Sequence, residues 1–247
     1  MSVPLQLPLV MGHRGAASYA PENTLASFIE AKKRGAPWVE FDVKLTRDGV
    51  PVVMHDANLR RTTGLDKAVA LIDFAELRSL RAGAWFAPRF ADQRVPSFAE
   101  TIALLARLGL GATVEIKPCR GREVETAQAV VAMLDAYWPR TMPAPLLASF
   151  QDRSLEAAQA AGAHWPRALI VDRLAMGWQA RVAAVNAVAL NVDGWRLKSW
   201  QAARIKAAGL QLGVWTIDEP ARARLLRAWG ADCVITDAPD VIARAIA

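Results

Sequence analysis

Cysteine is nearly missing: the chain has two, Cys119 and Cys233, in 247 residues. Neither stands in a CxxC pair or at a zinc-ligand spacing, which excludes a thiolate metal site and a redox dithiol. The two lie on separate predicted elements, so no structural disulfide is expected, and such sparing use fits a reducing compartment. Histidine is almost as scarce, at three residues. Any imidazole chemistry must therefore come from His13, His55 or His164. No run of about 18 apolar residues free of charge occurs, so no membrane span or stable membrane anchor is expected. The opening MSVPLQLPLVMGHRG is apolar but has no basic leader and is interrupted by two prolines. It reads as a first strand rather than a signal peptide. Basic tracts are missing as well. The net charge is +6, yet Lys and Arg are spread along the chain without basic–aromatic alternation. They read as solvated helix faces, and no nucleic-acid partner is expected.

What remains is an apolar chain, 53% hydrophobic and 22% charged, able to bury a substantial core. Eight strand-like runs stand out: 9–11, 38–43, 112–116, 146–149, 168–171, 188–192, 211–216 and 233–236. Helical stretches separate them. The first begins after Pro21-Glu22-Asn23 and runs to about Arg34, with Gly35 as its stop, the expected cap asymmetry. Others cover 97–108, 123–137, 151–161, 199–208, 220–229 and 239–246, with a weaker one at 176–185. Strands alternating with helices imply parallel strands and crossover helices. At this length the expected fold is a closed α/β barrel, (β/α)8, forming one domain over 1–247. A doubly wound open sheet is the alternative.

One interval breaks the rhythm. Asp48-Gly49 makes a turn, 51–54 returns as an extended segment, and about 40 residues, 56–96, precede the next strong helix. That is too long for a simple barrel loop and reads as a small insertion after strand two, on the catalytic face.

The polar residues inside these strands are informative. Glu40 and Asp42 sit two apart in the second strand, and side chains two apart share a face. Glu115 and Lys117 repeat the spacing at the end of the third. His13-Arg14-Gly15 follows the first strand, and His55-Asp56 ends the return segment. Active sites of such barrels form at the C-terminal ends of the strands, so all these residues meet at one rim. Three converging carboxylates repel one another unless neutralised, and an all-oxygen set suits a hard cation, Mg²⁺ or Ca²⁺. Two of the three histidines beside that cluster suggest a general acid and a general base. His164, in the loop 162–166, is expected to be a surface residue. Arg14 can grip a phosphate in a fork and Lys117 can add a point charge.

The run HRGAASYAPENTLASF, then VEFDVKLTRDGVPVVMHD, then VEIKP resembles the glycerophosphodiester phosphodiesterase family, in its short, soluble bacterial type. SFQ at 149–151, VWTID at 214–218 and ITDAP at 235–239 follow in the same order, so the resemblance covers nearly the whole chain. It implies a TIM barrel with a small insertion, and a metal-dependent hydrolase of glycerophosphodiesters that yields sn-glycerol 3-phosphate and an alcohol; a cytoplasmic location is expected. It implies Glu40, Asp42 and Glu115 as metal ligands, His13 and His55 as the acid–base pair, and Arg14 and Lys117 on the phosphate. Glu22 and Asn23 of PENT would support the site, Glu22 reading otherwise only as a helix-start residue. Trp215 would wall the substrate pocket, with Trp195 a second candidate. Asp218 stands where the family often has Asn. Two rival readings are a phospholipase, favoured by an exposed apolar rim at Trp85, Phe86 and Phe90, and a silent phosphodiester-binding protein, for which paired histidines have no use.

Overall fold

The computed structural model describes residues 5–247. The first four residues of the opening segment, which the strand reading included, lie outside the described residues. In chain order the elements are β1 (Val10–His13), α1 (Leu25–Lys33), β2 (Trp38–Leu45), β3 (Pro51–Val53), α2 (Arg60–Thr63), α3 (Phe74–Leu77), α4 (Phe98–Leu108), β4 (Gly111–Ile116), α5 (Glu123–Tyr137), β5 (Leu146–Ser149), α6 (Asp152–Ala161), β6 (Arg167–Val171), α7 (Trp178–Ala184), β7 (Ala189–Asp193), α8 (Ser199–Ala207), β8 (Gln211–Trp215), α9 (Pro220–Ala228), β9 (Cys233–Thr236) and α10 (Pro239–Ile246).

Every strand except β3 pairs in parallel with its neighbours, and β1 bonds both β2 and β9. The sheet therefore closes on itself, giving a (β/α)8 TIM barrel rather than an open sheet. The barrel interior is filled by inward residues such as Met11, Trp38, Leu146, Ala168, Ala189 and Cys233. The outward faces of the strands carry Val, Leu and Phe that bury against the helices in two further clusters. Both cysteines are free and buried. No helix among the described residues is long and apolar enough to cross a membrane.

Most boundaries shift by a residue or two, and two of the shifts have a clear physical reason. The second strand extends to Leu45 because β3 pairs antiparallel with 43–45 and prolongs it beyond the barrel. The first helix starts at Leu25, capped by the Thr24 side chain, which accepts from the Ser27 N–H. Glu22 therefore precedes the helix and is not a helix-start residue.

The insertion holds α2 and α3 and two short 3-10 turns. It folds around its own apolar cluster, with Leu59, Val69, Ile72 and Leu77 fully buried. It caps the barrel beside the C-terminal ends of β1 and β2.

Candidate active site

Strands β2 and β4 are neighbours, with Glu40 opposite Thr113 and Asp42 opposite Glu115. The two-residue period turns Glu40 and Asp42 inward from one strand and Glu115 inward from the next. One carboxylate oxygen from each lies within 4.8 Å of the others, and all three residues are buried. Burial opposes ionisation of Asp42, but Lys117 at 3.1 Å and Arg14 at 3.6 Å outweigh it and hold the Asp42 carboxyl far below the usual range. Burial and then repulsion from Asp42 push Glu115 up to about 8, and raise Glu40 as well. Two protein cations thus hold Asp42 ionised, while burial and mutual repulsion oppose the charges on Glu40 and Glu115. The remaining demand is for positive charge, and the donors are all oxygen: the cluster is able to hold a hard divalent cation.

The two histidines are each backed by a carboxylate. His13, at the end of β1, donates from Nδ1 to Asp237 Oδ1 at 2.7 Å, and its Nε2 lies 3.9 Å from Glu40. Asp237 follows β9, and its own N–H donates to Asp218 Oδ1 at 2.8 Å. The Thr236 hydroxyl donates to the same oxygen at 2.6 Å. Burial disfavours the His13 imidazolium, yet the Asp237 bond and the Glu40 charge prevail and raise its pKa. His55 donates from Nδ1 to Asp56 Oδ1 at 2.6 Å. Burial dominates there, the Arg14 and Lys117 charges add to it, and the His55 pKa is lowered. The same side chain is pulled toward imidazolium on one wall and toward neutral imidazole on the other.

Arg14 and Asn23 both adopt positive φ, at 49° and 56°, a conformation that costs a non-glycine residue energy and clusters at functional sites. The strained turn is locked by Asn23 N–H donating to Arg14 O at 3.0 Å and by the Ser27 hydroxyl donating to the same oxygen at 2.8 Å. It delivers Arg14 Nη1 to Glu22 at 2.8 Å and Asn23 Nδ2 to Asp42 at 2.8 Å. Gly15 must be glycine: its φ is 92° and a Cβ would stand 2.3 Å from Ser27 Oγ.

These groups border a cavity of about 120 Å³ that runs down into the barrel. Its walls are Phe150, Ile170, Ile235 and Trp215, with Phe150 and Trp215 edge-to-face at 5.6 Å. Thr113 Oγ1, Asn191 Oδ1 and Trp215 Nε1 border it and have no hydrogen-bond partner.

Residues 13–241 match the glycerophosphoryl diester phosphodiesterase family. The chain belongs to this family. A phosphodiesterase of Oleispira antarctica, solved in complex with the product sn-glycerol-3-phosphate, superposes with a TM-score of 0.95 at 37% identity, covering 97% of both chains. The glycerophosphodiester phosphodiesterase of Caldanaerobacter subterraneus is 28% identical over 235 residues, 95% of this chain and 96% of that one. The structure of glycerophosphodiester phosphodiesterase from Agrobacterium tumefaciens matches at TM-score 0.81 and 27% identity, over 96% of this chain and all of that one.

Within this phosphodiesterase barrel, most of the residues singled out from sequence come together. His13, His55, Glu40, Glu115, Arg14, Lys117 and Trp215 line the one cavity, while Asp42 lies beneath it, and Glu22 and Asn23 buttress Arg14 and Asp42. Trp195 is not there: it is exposed, its indole N–H bonded to Thr216 O at 3.2 Å. His164 is exposed and pairs with Asp135 at 3.1 Å. Sequence reasoning missed Asp237, Arg61, Thr113, Asn191 and Phe150. Counting by two along each strand would have found most of them: Asp237 follows inward Ile235, Thr113 precedes inward Glu115, and Phe150 follows inward Ala148.

Proposed function

We propose that this chain hydrolyses glycerophosphodiesters to sn-glycerol 3-phosphate and an alcohol, with Glu40, Asp42 and Glu115 holding Mg²⁺ or Ca²⁺. The observation that carries the reading is the pairing of an under-neutralised carboxylate trio with two histidines of opposite electrostatic bias on one cavity. A bound cation supplies Lewis-acid polarisation of a phosphoryl oxygen. Arg14 and Lys117 orient the phosphate and stabilise charge on its oxygens. His55, kept neutral, takes the proton of the attacking hydroxyl: water's, in direct hydrolysis, or the substrate's own 2-hydroxyl, which gives a cyclic phosphate that water then opens. His13, biased toward imidazolium, protonates the leaving alkoxide at Nε2. Divergent pKa values in one site are the usual means of assigning base and acid. The unpartnered Asn191 and Thr113 oxygens fit the hydroxyls of the glycerol half, and the Phe150–Trp215 pair fits its carbon face.

The phospholipase reading loses its main support. Trp85, Phe86 and Phe90 pack edge-on against one another at 5.7 and 5.6 Å, and only Trp85 is substantially exposed. A cytoplasmic enzyme acting on small diesters is the reading we favour. Incubation with glycerophosphocholine should release glycerol 3-phosphate and choline, and chelator should stop the release until Mg²⁺ or Ca²⁺ is added. Release of phosphocholine instead, or full turnover in excess EDTA, would refute it.

A further inference from the structure

We infer that Arg61, a residue of the insertion, is a positioning residue that clamps both walls of the active site at once. It sits on α2, outside the barrel, yet its guanidinium reaches two catalytic-face carboxylates. Nη1 and Nη2 each donate to Glu22 at 2.7 Å, one to either oxygen. Nε donates to Asp56 Oδ2 at 2.7 Å, and Nη2 to Asp56 Oδ1 at 3.2 Å. Both carboxylates have a second duty. Glu22 Oε1 also accepts from Arg14 at 2.8 Å. Asp56 Oδ1 also accepts from His55 Nδ1 at 2.6 Å. A continuous chain of charged hydrogen bonds thus runs Arg14–Glu22–Arg61–Asp56–His55, and Arg61 is the link between its two arms.

The chemistry explains why the link is arginine. A planar fork with five N–H donors in fixed directions can engage both oxygens of two carboxylates at once, whereas an ammonium, which can bridge two single oxygens as Lys117 does between Asp42 and Glu115, has no such paired geometry to offer. With Asp56 fixed, His55 keeps its proton on Nδ1 and presents Nε2 to the cavity. With Glu22 fixed, Arg14 holds its turn and its remaining donors face the phosphate position. Trp85 lies over the outer face of the guanidinium, 6.0 Å from ring centroid to Cζ, so the insertion's aromatic cluster limits its escape. The insertion therefore contributes to the reaction without touching substrate, through a residue that rests on two others.

The roles of His55 and Arg14 rest on the reading above, so the test has one arm that needs no turnover. The chain has three histidines, so ¹⁵N resonances of the His55 ring can be assigned by single substitutions. In the wild type the ring should be a single Nδ1–H tautomer. In Arg61→Ala it should become a mixture. In kinetics, Asp56→Asn should chiefly lower kcat, Glu22→Gln chiefly raise KM, and Arg61→Ala do both, by about 10- to 100-fold in kcat/KM, the usual cost of removing a supporting partner. Arg61→Lys should recover thermal stability but neither the tautomer nor the kinetics. A plain structural salt bridge predicts the loss of melting temperature alone, with the tautomer single and kcat and KM within twofold. That result, or full rescue by lysine, overturns the clamp. If Arg61→Ala fails to fold, Arg61→Gln carries the same comparison. If the wild type releases no glycerol 3-phosphate, the functional reading fails while the tautomer measurement still decides the clamp.

Discussion

His13 and Asp237 are 224 positions apart in the chain and 2.7 Å apart in space. Only closure of the barrel brings them together, because β1 and β9 are adjacent staves. Asp237 fixes the ring of His13 and favours its imidazolium, so Asp237→Ala should lower kcat by about 10- to 100-fold, as loss of a carboxylate behind an imidazole commonly does. Calorimetry should find metal affinity close to wild type. A variant turning over at the native rate would remove Asp237 from the mechanism.

The carboxylate trio makes the metal-free protein pH-sensitive. Glu115, raised to about 8 by burial and by Asp42, binds a proton more tightly when folded than when unfolded. Its contribution to stability is full below its ordinary pKa and is lost as pH rises through about 8. Glu40 is raised in the same sense. The melting temperature in EDTA should therefore fall between pH 5 and pH 8.5, and Mg²⁺ or Ca²⁺ should restore more of it at the higher pH. A flat metal-free profile would contradict this.

Glu115→Gln separates the two roles of that carboxylate. It removes a charge that burial, Asp42 and Glu40 oppose more strongly than Lys117 at 2.8 Å favours it, so the metal-free protein should melt higher than wild type at pH 8.5. It also removes a proposed ligand, so metal affinity should fall at least tenfold. Unchanged affinity by titration calorimetry would count against Glu115 as a ligand.

Gly15→Ala tests the strained turn. The added Cβ meets Ser27 at positive φ, and the cost should be about 2–3 kcal/mol. Urea unfolding measures it. Since the same turn aims Arg14, KM should rise as stability falls, and a neutral substitution would mean the turn has slack.

Asn191→Leu should do the reverse. An unpartnered buried amide oxygen is costly, and an apolar side chain of similar size removes that cost. The variant should be as stable as wild type or more so, while KM for glycerophosphocholine rises at least tenfold. Native KM would show that Asn191 does not meet the substrate.

The barrel itself was legible because its strands are short apolar runs separated by helices with clear stops, and all eight parallel strands lie within a few residues of where the pattern put them. The trio was legible too, since carboxylates two apart in an apolar strand are conspicuous. What could not be read were residues whose meaning depends on closure or on the insertion. Asp237 looks like any aspartate near a helix start until β9 is seen beside β1. Arg61 is one of 30 Lys and Arg residues, and nothing local marks it as a fork between Glu22 and Asp56. Trp195 misled because its position just after a strand, in step with inward Ala189 and Asn191, matched a pocket wall, while the strand ends at Asp193 and the loop beyond it leaves the ring exposed.

The insertion folds around a core that it shares with Val52, Met54 and Cys119, apart from the clusters that pack the helices on the barrel. Mutational drift there is buffered from the fold that carries the chemistry. Besides Arg61, Gln93 ties the insertion to α1 by accepting from the Ala26 N–H at 3.2 Å, and Asp73 pairs with Arg47; its other exposed residues can change in size and charge without touching the staves. Such a module offers a route by which one reaction can diverge toward different leaving alcohols while the staves and their carboxylates stay the same.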